Sequence, residues 1–374
     1  MRIAQIAPLT EAVPPRLYGG TERIVSYLTE QLVLQGHDVT LFASGDSRTG
    51  AKLIAGCDRA LRLDPSVLDP IPHILMMLAE VRARASEFDV LHFHSDAMHF
   101  PIFQDLAAHT VTTLHGRLDL PDLPRLYRRF PHFPLVSVSD AQRRPLSFAN
   151  WIGTVHHGLP LELLRFTGCP RGEYLAFLGR ISPEKRPDRA IEIARRAGLP
   201  VRMAAKVDNA DRHYFERHIE PVLADPCVEF IGEIGEMQKS AFLGNARALL
   251  FPIAWPEPFG LVLIEAMACG TPVIAFPHGS VPEVIEDGVT GFIVASVEEA
   301  VRAIERLESL DRGVIRARFE QRFSARRMAR DYEALYCRAL GSAAAPRAWT
   351  RPARLPARRL AGAEAHRPGG TAPC

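Results

Sequence analysis

Two carboxylates with seven residues between them, Glu257 and Glu265, sit in the stretch Trp255-Pro256-Glu257-Pro258-Phe259-Gly260-Leu261-Val262-Leu263-Ile264-Glu265-Ala266-Met267-Ala268-Cys269-Gly270. Pro256 and Pro258 cannot donate to a sheet ladder, so they end the apolar strand before them and hold Glu257 in a loop. From Phe259 the pattern turns helical, and Gly270 supplies a stop. The amides of Phe259, Gly260 and Leu261 then lack partners within the helix, and the positive end of its dipole attracts anions. Glu265, one turn further in, lies on a mostly apolar face and needs a partner, either a core cation or a ligand hydroxyl. A loop carboxylate, an anion cradle and a half-buried carboxylate together suit a phosphate joined to a sugar.

Two cations offer the complementary charge. Gly179-Arg180-Ile181-Ser182-Pro183-Glu184-Lys185 follows a short apolar strand, with Ser182 as a helix N-cap and Pro183 in the first turn. Arg180 and Lys185 are thereby fixed at a strand end, where they can neutralise phosphate charge. Near the chain start, Gly19-Gly20-Thr21-Glu22 opens a helix, and the glycines let backbone approach a ligand closely. This is neither a dinucleotide fingerprint nor a P-loop. His115 ends a strand before Gly116, at the carboxyl edge where open α/β sheets hold ligands. His92 and His94 share one face of another strand, with His94 lining the cleft. They have metal-like spacing, but the sequence places no third ligand beside them.

The paired glutamates followed by Ala-Met-Ala-Cys-Gly-Thr-Pro-Val-Ile-Ala resemble the motif of retaining GT-B glycosyltransferases of family 4 (glycosyl transferases group 1), a resemblance that extends over residues 1–340. It implies that Glu257 contacts the transferred sugar and Glu265 grips the ribose hydroxyls. It further implies that Arg180 and Lys185 clamp the diphosphate, that Gly19 and Gly20 face it, and that His115 reaches the sugar. Ile234, in the turn after residues 228–232, would lie against the base. Two positions depart from the family pattern: His157, where asparagine usually precedes the glycine, and Lys206, in a turn where glycine is common.

These residues need a scaffold of repeated strand–helix units. Strands are expected at residues 2–7, 38–43, 88–94, 111–115 and 135–139, with helices at 20–36 and 71–86 and a loop over 44–70. Ser139 should cap the helix after its strand. The pattern restarts at residues 174–178 and continues through strands at 201–205, 228–232, 247–251 and 273–276. The expected fold is α/β, two facing doubly wound parallel-sheet (Rossmann-like) domains. Residues 1–160 would form the acceptor-side domain and 161–323 the donor domain. Residues 324–340 would form a helix that the resemblance returns to the first domain.

Length and composition agree. At 374 residues the chain exceeds one typical core. Its 47% hydrophobic and 24% charged residues are ordinary for a globular protein. Six unpaired-looking cysteines suit a reducing cytoplasm. Residues 341–374 hold six arginines against Glu364, or +5 of a net +2, so the remainder is at −3 and is no nucleic-acid binder by bulk charge. That alanine- and proline-rich tail is expected to be disordered, and its arginines suit peripheral contact with an acidic membrane face.

The expected activity is transfer of a sugar from a nucleotide diphosphate-sugar to a sugar, lipid-linked or small-molecule acceptor by a front-face mechanism. No general base stands out, no cofactor is expected, and no Asp-x-Asp is present, so the expectation is metal-independent. A nucleotide-sugar epimerase of the same architecture would need extra acid–base groups. A catalytically silent module would not need both glutamates and both cations.

Overall fold

Short apolar strands separated by helical crossovers pair only in parallel among the described residues. A computed structural model describes residues 1–16 and 19–341. The first lobe is built on β1 (Arg2–Ile6), β2 (Asp38–Ser44), β3 (Lys52–Cys57), β4 (Val90–Phe93), β5 (Thr110–Thr113), β6 (Leu135–Ser137) and β7 (Trp151–Thr154). Its seven-stranded sheet has the order β3-β2-β1-β4-β5-β6-β7. The second lobe is built on β8 (Leu175–Arg180), β9 (Val201–Lys206), β10 (Val228–Gly232), β11 (Ala248–Phe251), β12 (Val273–Ala275) and β13 (Gly291–Ile293). Its six-stranded sheet runs β10-β9-β8-β11-β12-β13. Strand order therefore reverses beside β1 and again beside β8, and each reversal opens a crevice at the carboxyl ends of the strands.

One core fills the second lobe, and smaller clusters fill the first. The helix Ala325–Ala339 returns to the first lobe, where Met328, Tyr332, Leu335 and Tyr336 pack with Ile3, Ile24, Leu28 and Val90. Ser324 caps that helix, accepting from the Arg327 amide at 3.3 Å. Gly158 lets the chains meet, since a Cβ there would fall 2.3 Å from the Ser324 carbonyl oxygen.

Three local expectations need correction. The stretch read as loop over 44–70 contains β3, an edge strand paired only with β2, half-exposed and flanked by glycines. Its sequence therefore lacks the alternation of a strand with one buried face. β7, also an edge strand, did not stand out for the same reason. Ser182 occupies an N-cap position but accepts no capping hydrogen bond: the turn Pro183–Lys185 is 3-10, and Arg186 at φ 53° separates it from the α-helix Pro187–Ala197. The tail over 342–374 and Tyr18 lie outside the described residues. Among the described residues, no helix is long and apolar enough to cross a membrane.

Candidate active site

A cleft of about 740 Å³ between the lobes is lined by Glu257, His115, Arg180, Lys185, Gly19, Gly20, Phe259, Gly260, Leu261, Glu265 and Ile234. All of the site residues expected from sequence thus share one crevice. His94, His157 and Lys206 line it too.

The Glu257 loop is held by glycines and by its own backbone. Gly260 takes φ 80° at the start of the helix Leu261–Ala268, a left-handed conformation that a side chain would strain. Gly279, at φ 61°, packs so closely that a Cβ would lie 2.2 Å from the Glu257 carbonyl oxygen. The Ser280 amide donates to that oxygen at 3.0 Å. From the first lobe, the Ser139 hydroxyl caps the Gln142 amide at 3.0 Å, as expected, and donates to the Pro258 carbonyl at 2.7 Å. Glu283 in turn accepts from the Asp140 and Ala141 amides at 2.7 and 2.6 Å, so the lobes grip each other directly behind the loop. Among the described residues, the Phe259, Gly260 and Leu261 amides donate no hydrogen bond. Gly20 faces this helix start, for a Cβ there would lie 3.5 Å from a Leu261 methyl.

Each expected anchor has a charged partner. The Lys185 ammonium pairs with Glu257, and its Nζ lies 4.8 Å from the Trp255 ring centre. The Trp255 indole N–H donates to the same carboxylate oxygen at 3.0 Å. Arg180 contacts Glu184 at 2.5 Å, Asp211 at 3.2 Å and Asp208 at 3.8 Å. Lys206 contacts Asp208 at 2.9 Å, so this rim carries interleaved charges rather than a bare basic turn.

Glu265 is more buried than Glu257, 3% against 8% exposed. Its Oε1 receives Lys239 at 2.7 Å and also pairs with Arg23 from the first-lobe helix Gly20–Leu34. Oε2 makes no hydrogen bond among the described residues. Burial pushes the Glu265 carboxyl up, but Lys239 and Arg23 outweigh it and hold it below the ordinary glutamate value. Of the two alternatives for Glu265, the core ion pair is formed at one oxygen, and the other oxygen is unspent.

On the opposite wall a chain of buried polar groups runs from the cleft to the terminal helix. His115 Nε2 meets His94 Nδ1 at 2.9 Å, and His94 Nε2 meets Gln5 Oε1 at 2.8 Å. Gln5 donates to Tyr336 Oη at 3.1 Å, which lies 2.7 Å from His92 Nδ1. Burial pushes His115 down to about 3 and drives His92, His94 and His157 well below the usual histidine value, so all four rings are neutral. With Gln5 oriented this way, His94 donates from Nε2, and His115 donates from Nε2 to the bare Nδ1 of His94. The His157 ring stacks on His115 at 5.3 Å and meets Phe259 edge-on at 4.8 Å. Among the described residues, no three His, Cys, Asp or Glu side chains are grouped to hold a metal.

The model of Glycosyltransferase Family 4 matches residues 18–172, and that of Glycosyl transferases group 1 matches residues 170–326. The two adjoin and together take in both lobes. The chain belongs to the family 4, group 1 glycosyltransferases.

This member of the family is 30% identical over 223 residues to D-inositol 3-phosphate glycosyltransferase of Mycobacterium tuberculosis and Mycobacterium bovis, covering 51% of this chain. The match spans only 44% of those relatives' length. Its fold is that of AviGT4, a glycosyltransferase involved in avilamycin A biosynthesis (TM-score 0.67, 22% identity, covering 91% of this chain and 98% of that one). It is likewise that of sucrose-phosphate synthase from Thermosynechococcus elongatus (TM-score 0.73, 18% identity, 91% and 100% covered). Anabaena HepE in complex with UDP and glucose also superposes, at TM-score 0.67 and 17% identity over 89% of this chain and 98% of that one. These neighbours confirm the GT-B architecture.

Sequence reasoning missed Arg23 and Lys239, which set the charge state of Glu265. Both lie on helices whose polar residues look solvated, and only the 242-residue separation closed by the fold makes Arg23 a partner. It also missed Gln5 and Tyr336, single polar residues within otherwise apolar patterns.

Proposed function

We propose that this glycosyltransferase moves a sugar from a nucleoside diphosphate sugar to an acceptor hydroxyl with retention of configuration, without a metal. The donor diphosphate lies against the amides of Phe259, Gly260 and Leu261 and the glycines Gly19 and Gly20, neutralised by Lys185 and Arg180. Ribose hydroxyls donate to the unspent Oε2 of Glu265, and the base rests on Ile234. Glu257 and the neutral His115 orient the sugar between them. A uridine nucleotide is the first choice of donor, since the fold neighbour HepE is described in complex with UDP and glucose.

In the reacting complex the bond from sugar C1 to the diphosphate oxygen breaks, and the electron pair leaves with the diphosphate. The acceptor oxygen bonds to C1 on the same face, and its proton passes to an oxygen of the departing diphosphate. This accounts for the lack of a separate general base. The arriving diphosphate competes with Glu257 for Lys185, which frees that carboxylate for sugar hydroxyls. The interlobe contacts of Ser139 and Glu283 favour a closed cleft that keeps water from the donor. We place this chemistry in the cytoplasm, where nucleotide sugars and reduced thiols occur together.

The observation that carries the reading is the pairing of Lys185 with Glu257 beside unsatisfied helix amides, which sets a cation, an acid and an anion cradle around one point. Incubating the full chain with UDP-glucose and resolving the anomeric configuration of the product by NMR tests it. Retention is expected, and an inverted product contradicts it.

A further inference from the structure

The first-lobe wall of the cleft, opposite the donor residues, has a composition of its own. Leu9, Leu61, Pro70, Ile74, Met77 and Met98 line it. The apolar surface continues outward along the helix Ile71–Ala83, where Ile71, Leu75 and Met76 are exposed, Met76 by 69%. Met98 is itself 45% exposed at the cleft mouth. A run of large apolar side chains leading out of a reaction cleft marks a ligand-binding surface rather than chance exposure.

The same wall carries two carboxylates. Glu22 lines it at 5% exposure, and burial raises its carboxyl. Asp96 lines it with its backbone at φ 48°, a conformation that a non-glycine residue seldom holds without a constraint. The wall's cations are engaged: Arg62 donates to Glu11 at 2.6 Å, and Arg23 is bound to Glu265. A phosphate placed here would meet two carboxylates, with both cations already compensated. Hydroxyl groups, by contrast, donate to carboxylates readily.

We propose that the acceptor is an uncharged, hydroxyl-bearing molecule with an apolar portion, such as a glycoside with a hydrocarbon aglycone, and not a phosphorylated polyol. This rests on the glycosyl-transfer reading for the direction of the cleft. The acceptor hydroxyls face Glu22 and Asp96, while the hydrocarbon follows Ile74 and Met98 toward Ile71 and Leu75.

Calorimetric titration of the full chain, without donor, with n-octyl β-D-glucoside below its micellar concentration, glucose, and myo-inositol 1-phosphate decides the matter. UDP is titrated separately. The octyl glucoside is expected to bind about tenfold or more tighter than glucose, the size set by sequestering a short alkyl chain, with no inositol phosphate binding. Met98→Glu, at an exposed position, should weaken the octyl glucoside about tenfold while leaving UDP affinity and melting temperature unchanged. Equal affinity for glucose and octyl glucoside, binding of inositol phosphate at least as tight, no binding of any probe, or an unaltered Met98→Glu each overturns the proposal. Failure of UDP to bind while octyl glucoside does would instead overturn the donor reading alone.

Discussion

Arg23 of the first lobe and Glu265 of the second form an ion pair across the cleft, with Glu265 almost wholly buried. The pair ties the position of one lobe to the charge of the carboxylate that, in our account, holds the donor ribose. Lys239 shares the same oxygen, so a ligand can occupy Oε2 without breaking either contact. In this account, donor binding and the contact between the lobes meet in a single side chain.

Replacing Glu265 by Ala should leave Arg23 and Lys239 with only their longer contacts to Glu236, at 3.5 and 3.6 Å. Removing one partner of a buried pair costs about 3–5 kcal/mol, so urea melts should show a loss of this size. Glu265→Gln retains the shape and should cost less stability, yet still weaken nucleotide binding about tenfold by calorimetry. Wild-type nucleotide affinity in both variants would remove Glu265 from the ribose site.

Lys185→Ala should act on rate more than on affinity, because the departing charge is greatest in the transition state. A fall of about 10²- to 10³-fold in kcat is expected, the range for loss of one preorganised electrostatic donor. Donor affinity should change far less. The comparison is steady-state kinetics beside a direct binding titration, and equal losses in both would make Lys185 a simple binding residue.

Chelation tests how the leaving charge is met. If Lys185, Arg180 and the Phe259–Leu261 amides suffice, dialysis against EDTA should leave turnover unchanged. Loss of activity restored by a divalent cation would assign that task to a metal.

Acid should destabilise the fold through its buried histidines. Burial pushes His99 and His115 down to about 3, and His92, His94 and His157 are also lowered. The unfolded chain takes up protons near pH ~6.5 that the folded chain refuses, so this stabilisation is complete above that pH and is lost as pH falls toward ~3. Each such ring contributes a slope of about 1.4 kcal/mol per pH unit within the window. Urea midpoints should be nearly constant above about pH 7 and fall clearly by about pH 5.5. A flat profile across that range would mean that the rings are charged or unperturbed.

The motif from Trp255 to Gly270 was legible because prolines, a positive-φ glycine and the spacing of two acids all constrain the local backbone. The alternation of strands and helices gave both sheets for the same reason: fully buried parallel strands read as continuous apolar runs. What sequence left hidden is set by tertiary partners. β3 and β7 are edge strands, half-covered and without a clean period. Arg23, Lys239, Gln5 and Tyr336 gain their roles from residues far along the chain. Ser182 failed as a cap because the left-handed Arg186 interrupts the helix it was expected to start.

The most direct test is a thermal-shift series on the full chain with UDP-glucose, GDP-mannose and ADP-glucose, run in parallel on Glu265→Gln. A ligand that binds only the folded state at about 100 times its Kd adds ~2.7 kcal/mol of stability. The account predicts that at least one donor raises the melting temperature of the native chain and has a much smaller effect on the variant. No shift with any donor, or the same shift in both proteins, would contradict it.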